Sequence, residues 1–280
     1  MELGQVSEDG LVGRPRVVVS VGASVDGRIS LRRDRLLMDE NASRIWQSLM
    51  PPSAQALGDA RSSQLAGLYH PEAVLEGSGS LVADSAGPLA GLSTDLDCPE
   101  DQLYSDFLPE EVAERPGHEK WFTVVDGRGR VDWETNSQGE YDVLVLVARA
   151  TPPEYLNHLR KERIPYLVAG RQGVDLAVAL SRMRDRLGVT CVVSTAGGGL
   201  NGALLRAGLV DEIQLQVFPA AIGGLGTPTI FDGPELADGA TPTRLRLLFA
   251  HAETDGMLWL RYEVIREPTE APPAPISRAG

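Results

Sequence analysis

Between residues 142 and 218 the chain alternates short, unbroken apolar runs with helical patterns, and this alternation narrows the possible folds more than any other feature. The runs Asp142–Val147, Tyr166–Val168, Thr190–Val193 and Ile213–Phe218 are rich in valine, isoleucine and leucine, and most are continuous rather than strictly alternating. Such segments read as strands covered on both faces. In the intervening stretch Val174–Leu187, the apolar residues Leu176, Leu180, Met183 and Leu187 recur at helical spacing, and Gly188 follows as a stop signal. Strand, helix, strand in succession implies right-handed crossovers and a parallel sheet. Upstream, residues 16–22, 73–75 and 121–125 add further strands. Downstream, the strand-like runs Arg244–Ala250 and Met257–Ile265 are joined through Asp255-Gly256, the signature of an antiparallel hairpin. The expected class is therefore α/β, with a mixed, mainly parallel sheet.

Two regions depart from the alternation. Residues 41–70 are weakly helical with a break at Pro51-Pro52, and residues 93–119 form an acidic, proline-containing insertion that reads as a lid-like surface segment. One domain over residues 14–266 is expected, with disordered tails at 1–13 and 267–280. The formal charge of −13 argues against a nucleic-acid surface, which needs clustered Lys and Arg. It leaves room for an anionic cofactor, because loop amides and a few local arginines can hold phosphate inside an acidic protein. Cys98 and Cys191 have no partner at metal-ligand spacing, so neither a metal site nor a disulfide is expected, and Cys191 reads as a small buried apolar residue. Nothing in the sequence resembles a signal peptide or an apolar stretch of about 20 residues, which predicts a cytoplasmic chain without membrane contact.

The chemistry-bearing signals are loops at strand ends. Thr190–Ser194 runs into Gly197-Gly198-Gly199, and a short helix begins near Leu200 and stops at Gly208. This arrangement aims backbone N–H groups and a positive helix end at one point, where a diphosphate could approach closely. The triplet alone reads equally as a tight turn that needs glycine for its dihedral angles. A second loop, Gly77-Ser78-Gly79-Ser80, follows the strand at 73–75. Neither loop carries the G-x-G-x-x-G fingerprint or a P-loop ending, which disfavours a Rossmann domain or an NTPase. Arg128 and Arg130, in the turn after the strand at 121–125, are candidates for a cofactor 2′-phosphate, or solvated arginines on a hairpin. Gly223-Gly224 with Gly226 adds a flexible loop that covers a ligand or turns the chain.

Taken together, Ser24-Val25-Asp26-Gly27-Arg28-Ile29, the Gly77–Ser80 loop, Gly197–Asn201, and Gly208–Ile213 followed by Pro219 and Gly223-Gly224 occur in a specific order. In that order and spacing the chain resembles the reductase domain of riboflavin biosynthesis, the C-terminal part of a bifunctional deaminase-reductase and a branch of the dihydrofolate-reductase-like superfamily. The resemblance spans about residues 14–265. It implies a three-layer α/β/α domain, NADPH as donor, a homodimer, and reduction of the sugar C1 of 5-amino-6-(5-phosphoribosylamino)uracil to the open ribityl form. By motif match, Gly77, Ser78, Gly79, Ser80, Gly197, Gly198, Gly199 and Leu200 would line the cofactor diphosphate, with Arg128 and Arg130 near its 2′-phosphate. Ser20, Ser24 and Thr195 would face the substrate, and Asp26 is the candidate general acid, although Asp-Gly after a strand is also a common turn former. Three positions depart from the family pattern: Ser20 stands where Lys or Asn is usual, Thr195 where Glu is usual, and Asp84-Ser85-Ala86-Gly87 where Asp-Asp-Pro-Arg is usual. A paralogue acting on dihydrofolate or another heterocycle with a deazaflavin donor, and a nucleotide-binding protein without turnover, are the alternatives.

Overall fold

The structure, a computed structural model, describes residues 13–266. The first half of the chain forms β1 (Arg16–Ser24), α1 (Glu40–Ser48), α2 (Ala54–Tyr69), β2 (Ala73–Gly77), α3 (Glu100–Leu103), α4 (Glu110–Ala113), β3 (Lys120–Val125) and β4 (Ser137–Gln138). The second half forms β5 (Tyr141–Val147), α5 (Pro153–Lys161), β6 (Tyr166–Val168), α6 (Leu176–Leu187), β7 (Cys191–Ser194), α7 (Gly198–Arg206), β8 (Glu212–Phe218), β9 (Arg244–Ala252) and β10 (Leu258–Ile265). The strands make one sheet in the order β4-β5-β3-β2-β7-β1-β8-β10-β9, with β6 added to the outer edge of β5. Between β5 and β8 every pairing is parallel, whereas β10 lies antiparallel on both β8 and β9. The mixed, mainly parallel α/β sheet with a closing hairpin is as expected.

The unbroken valine run of β1 follows from its central place. The pleat sends Val17, Val19 and Val21 into the core beneath α6 and α7, beside Leu180, Met183 and Leu204. Val18 points to the opposite face, where it meets Leu65 of α2 together with Cys191 and Val193. Both faces are covered, so no polar alternation survives. Cys191 is buried as expected, and burial pushes its thiol up to about 12. The ends of α6 are set locally: the Asp175 carboxylate accepts from the amides of Ala177 and Val178, and Gly188 takes a left-handed conformation (φ 70°) that an L side chain would resist.

The segment 93–119 departs from expectation. Leu103 is fully buried against Val145, Tyr155 and Tyr166, and Phe107 pairs with Tyr166 through two backbone hydrogen bonds of 2.8 and 2.9 Å. Val112 reaches the main core. The insertion is thus an edge cover for β5 and β6, held by apolar anchors between its acidic residues, and it contributes no wall to the cleft described below. The tails expected to be disordered lie, apart from Gly13, outside the described residues. Next to both ends of the described chain, buried Asp211 binds Arg14 through two 2.8 Å bonds, the Val17 amide at 2.7 Å and Arg266 at 2.5 Å.

Candidate active site

Six neighbouring strands (β5, β3, β2, β7, β1 and β8) run parallel, so their C-terminal ends deliver loops to one edge of the sheet, where α/β proteins form their ligand crevices. A cleft of about 1020 Å³ opens there. The glycine loops after β2 and β7 face it from adjacent strands, because Leu75 is in register with Ser194. A side chain on Gly77 would meet Leu200 at 3.8 Å, so the two loops touch.

The three glycines after β7 do different work. Gly197 and Gly199 have nothing within 4 Å of where a Cβ would stand, which leaves space for a ligand to reach the backbone. A Cβ on Gly198 would stand 2.1 Å from the Thr229 carbonyl oxygen, and one on Gly202 only 1.7 Å from that of Asp232. Gly198 and Gly202 therefore let the 229–232 segment lie directly on α7, an arrangement secured by the Asp232 amide donating to Gly198 O at 2.9 Å. The sequence reading missed Gly202, although its four-residue spacing from Gly198 places both on one helix face. Along α7 the Asn201 amide is the donor to Gly197 O, and the first-turn amides of Gly198–Leu200 precede the intrahelical ladder at the cleft.

The two candidate phosphate arginines also separate. Arg130 is buried; it donates to Ser78 Oγ at 2.7 Å and Ala83 O at 3.2 Å, and burial, with Arg128 nearby, lowers its pKa. It braces the β2 loop from below. Arg128 lies exposed on the cleft wall, and among the described residues its guanidinium has neither hydrogen bond nor ion pair. The turn that presents both is fixed by Asp126 Oδ2, which accepts from the amides of Arg130 and Val131 and from Tyr155.

Beside the loops, the cleft floor is polar. Ser20 on β1, Thr195 after β7 and Glu76 on β2 follow one row across the sheet, since Val19 pairs with Ser194 and Ser194 with Leu75, one residue earlier in each strand. The row shares the α2 face with Val18 and Val193. Thr195 Oγ1 donates to Glu76 Oε1 at 2.5 Å, and Ser80 Oγ donates to Glu76 Oε2 at 2.7 Å. Burial pushes the Glu76 carboxyl above its ordinary range, against the pull of the two hydroxyls. From α2, Arg61 reaches Val21 O at 3.2 Å; among the described residues it has no carboxylate partner, and burial lowers it to about 10. The sequence reading named neither Glu76 nor Arg61. Recognising them requires the β2–β7 register and the packing of α2, neither of which leaves a local motif.

Asp26 and Ser24 lie apart from the row, and neither lines the cleft. Ser24 Oγ donates to Asp26 Oδ1 at 2.6 Å, while the amides of Ile222 and Gly223 donate to the Asp26 carboxylate at 3.0 and 2.7 Å. These bonds hold its carboxyl far below the usual carboxylate range, the Ser24 hydroxyl contributing most. An acid so strongly ionised has no proton to give near neutrality. The role expected for Asp26 is corrected accordingly: it clamps the glycine loop at 222–226, and Arg28 adds a 2.6 Å bond to Thr227 O.

Glycine loops at adjacent parallel strand ends, an amide-rich helix start and an unpaired arginine define a nucleotide-binding α/β protein, and a donor set of this chemistry fits a phosphorylated dinucleotide. The comparisons with known proteins agree. Residues 15–260 match the RibD C-terminal domain family, and the chain belongs to it. A 2,5-diamino-6-ribosylamino-4(3H)-pyrimidinone 5′-phosphate reductase of Archaeoglobus fulgidus is 30% identical over 225 residues, which is 79% of this chain and 87% of the relative. The reductase of the same name in Methanothermobacter thermautotrophicus is 32% identical over 133 residues, but that match spans only 61% of the relative and 47% of this chain. Among solved structures, a pyrimidine reductase-like protein of Corynebacterium diphtheriae superposes with a TM-score of 0.58 at 18% identity, covering 93% of this chain and 96% of that one. A riboflavin biosynthesis reductase of Saccharomyces cerevisiae gives 0.53 at 13% identity, covering 93% of both chains. These neighbours share the dihydrofolate-reductase-like fold. No helix among the described residues is long and apolar enough to cross a membrane.

Proposed function

We propose that the protein is an NADPH-dependent reductase of a pyrimidine that carries a phosphorylated ribosylamino group, the substrate class in its relatives' names. The observation that carries this reading is the convergence of both glycine loops, the unpaired Arg128 and the polar Glu76–Thr195–Ser20 row on one cleft. In this reading the open backbone at Gly197 and Gly199, with the Gly77–Ser80 turn, holds the cofactor diphosphate, and Arg128 meets the 2′-phosphate that distinguishes NADPH from NADH. Arg130 supports the cradle through Ser78. When bound, NADPH supplies the hydride. Ser20 and Thr195 face the substrate, and the desolvated Arg61 offers a cation in a region without the family's usual loop arginine.

The protein is further proposed to work as a cytoplasmic homodimer, the partner copy lying against β9. Among the described residues that strand is bonded on one side only, to β10, and it exposes Leu245 and Leu247 at 41% and 53%. Long apolar edges of this kind are ordinarily paired or covered.

The test is NADPH oxidation with two substrates that share the ribosylamino phosphate: the 2,5-diamino-pyrimidinone of the relatives' names and 5-amino-6-(5-phosphoribosylamino)uracil. Turnover of either, together with tighter fluorescence-detected binding of NADPH than of NADH, supports the reading. Tight NADPH binding without turnover of either compound refutes the substrate class.

A further inference from the structure

A reductase must place one proton for each hydride its cofactor supplies. The carboxyls lining the cleft are Glu76, Asp84 and Asp232. Asp232 is committed: burial acts to raise its carboxyl, but bonds from Thr229 and Arg33 outweigh this and leave it below the usual range. Asp84 is exposed beyond the β2 turn, with its Oδ1 3.2 Å from where a Gly79 Cβ would stand. Glu76 differs from both. It sits at the end of β2 in the row with Thr195 and Ser20, it is half-buried, and among the described residues it makes no ion pair. The other charged side chains lining the cleft are Arg32, Arg33 and Arg35 after β1, Arg61 on α2, Asp84 after the β2 turn, Arg128 and Arg130 after β3, and Asp232 after β8.

We propose that Glu76 is the proton donor of the reduction, passing its carboxyl proton to the substrate atom that must gain one as the neighbouring carbon is reduced. This rests on the cleft being a reductase site. For a ribosylamine substrate, the bond to the ring oxygen at the sugar C1 breaks, the electron pair stays on that oxygen, and the oxygen takes the Glu76 proton. Glu76 is left as a carboxylate that water reprotonates through the open cleft, so the proton balance closes each cycle. Its two hydroxyl partners suit both states. Thr195 Oγ1 and Ser80 Oγ donate to the carboxylate as it forms, and a hydroxyl can rotate to accept from the acid. Burial favours the neutral acid at rest. Thr195, which stands where the resemblance expects a carboxylate, becomes the positioning residue for a carboxylate supplied from the neighbouring strand.

The test uses the full chain, with Glu76→Gln and Glu76→Asp. The expected result for Glu76→Gln is a fall in kcat of about 10²- to 10⁴-fold, with NADPH affinity within about threefold of wild type. The alkaline decline in the wild-type kcat profile should also vanish, while Glu76→Asp keeps part of the activity with that decline shifted. Loss of NADPH affinity in step with kcat would overturn the proposal, because it would make Glu76 a tie between loops and nothing more. Retention of kcat would do the same. A second readout is independent of substrate. Infrared difference titration of the apoprotein should show one protonated carboxyl band, lost in Glu76→Gln, persisting above the range of the other carboxyls; its absence overturns the proposal even when turnover is seen. If the band is present but neither pyrimidine is turned over, the substrate reading falls and the acid assignment stands.

Discussion

Gly202→Ala sets two effects of opposite sign against each other. Alanine at an interior helix position is favoured over glycine by about 0.5–1 kcal/mol, because glycine loses more backbone freedom on folding. The new methyl, however, would stand 1.7 Å from the Asp232 carbonyl oxygen and 2.8 Å from its carbon, both backbone atoms of a tethered segment. Restoring an ordinary contact near 3.4 Å requires that segment to retreat by about 1.7 Å. The Asp232-to-Gly198 bond of 2.9 Å then breaks, and the ties to Thr229, Arg33 and Arg206 are strained. Overpacking costs about 1–3 kcal/mol and a lost hydrogen bond about 1 kcal/mol more, which outweighs the propensity gain. The expected net loss is about 2–3 kcal/mol, read in a thermal melt as a fall of roughly 4–12 °C at this chain length. Gly67→Ala is the matched control: it also lies inside a helix, but nothing stands within 4 Å of its Cβ position, so the same substitution should raise the midpoint by a few degrees. Because Asp232 lines the cleft, Gly202→Ala should also weaken NADPH binding. A Gly202→Ala midpoint within about 1 °C of wild type, or shifts of the same sign in both variants, would refute the packing argument.

Arg128→Ala should weaken NADPH about 10- to 100-fold while leaving NADH unchanged, as isothermal titration with both cofactors would show. Arg130→Met should act differently, lowering the urea midpoint because Ser78 Oγ and Ala83 O lose their donor, with little selectivity between the two cofactors. Asp211→Asn should destabilise by about 3–5 kcal/mol at pH 7, since it leaves the cations of Arg14 and Arg266 without their buried anion. The sign of its pH dependence follows from a folded pKa held below the ordinary 3.8: burial opposes ionisation, but the Arg14, Val17 and Arg266 bonds prevail. The stabilisation is complete above the unfolded value and disappears as pH falls through the folded one, so the gap between wild type and variant should close on acid titration of the urea midpoint. Leu247→Asp on β9 should shift sedimentation from dimer to monomer without altering the monomer's fold, and an unchanged sedimentation coefficient would remove β9 as the interface.

Much of the architecture was readable because parallel strands covered on both faces must be apolar throughout. The β1 valines and the 3.6-residue period of α6 therefore announce themselves locally. The glycine loops at the cleft are readable for a related reason: glycine after a strand is a local signature. Three things escaped, and each depends on distant partners. Glu76 is an ordinary strand-end carboxylate until β7 brings Thr195 to it across 119 positions of sequence. Gly202 is an ordinary helix glycine until the chain returns at Asp232. The segment 93–119 looks like a solvated flap because its charges outnumber its anchors, yet Leu103, Phe107 and Val112 fix it to the sheet. Asp26 failed for the opposite reason: its motif is local and conspicuous, but its carboxylate is satisfied by amides some 196 residues away.

The same contrast orders the site itself. In the proposed reading, the elements that bind the cofactor need backbone amides and absent side chains, which glycine alone supplies. Substrate-facing groups need only a functional atom at a point in space, and adjacent parallel strands offer two Cα positions about 4.8 Å apart from which a long side chain can reach it. A carboxylate can therefore pass from the end of β7 to the end of β2 without moving in the cleft, provided the vacated position keeps a partner that holds it. Thr195 is such a partner, bonded to Glu76 at 2.5 Å. It follows that Thr195→Glu combined with Glu76→Thr should restore activity that Glu76→Thr alone has lost. If the double exchange stays as inactive as the single one, the two strand ends are not interchangeable platforms for the acid, and the argument from register fails.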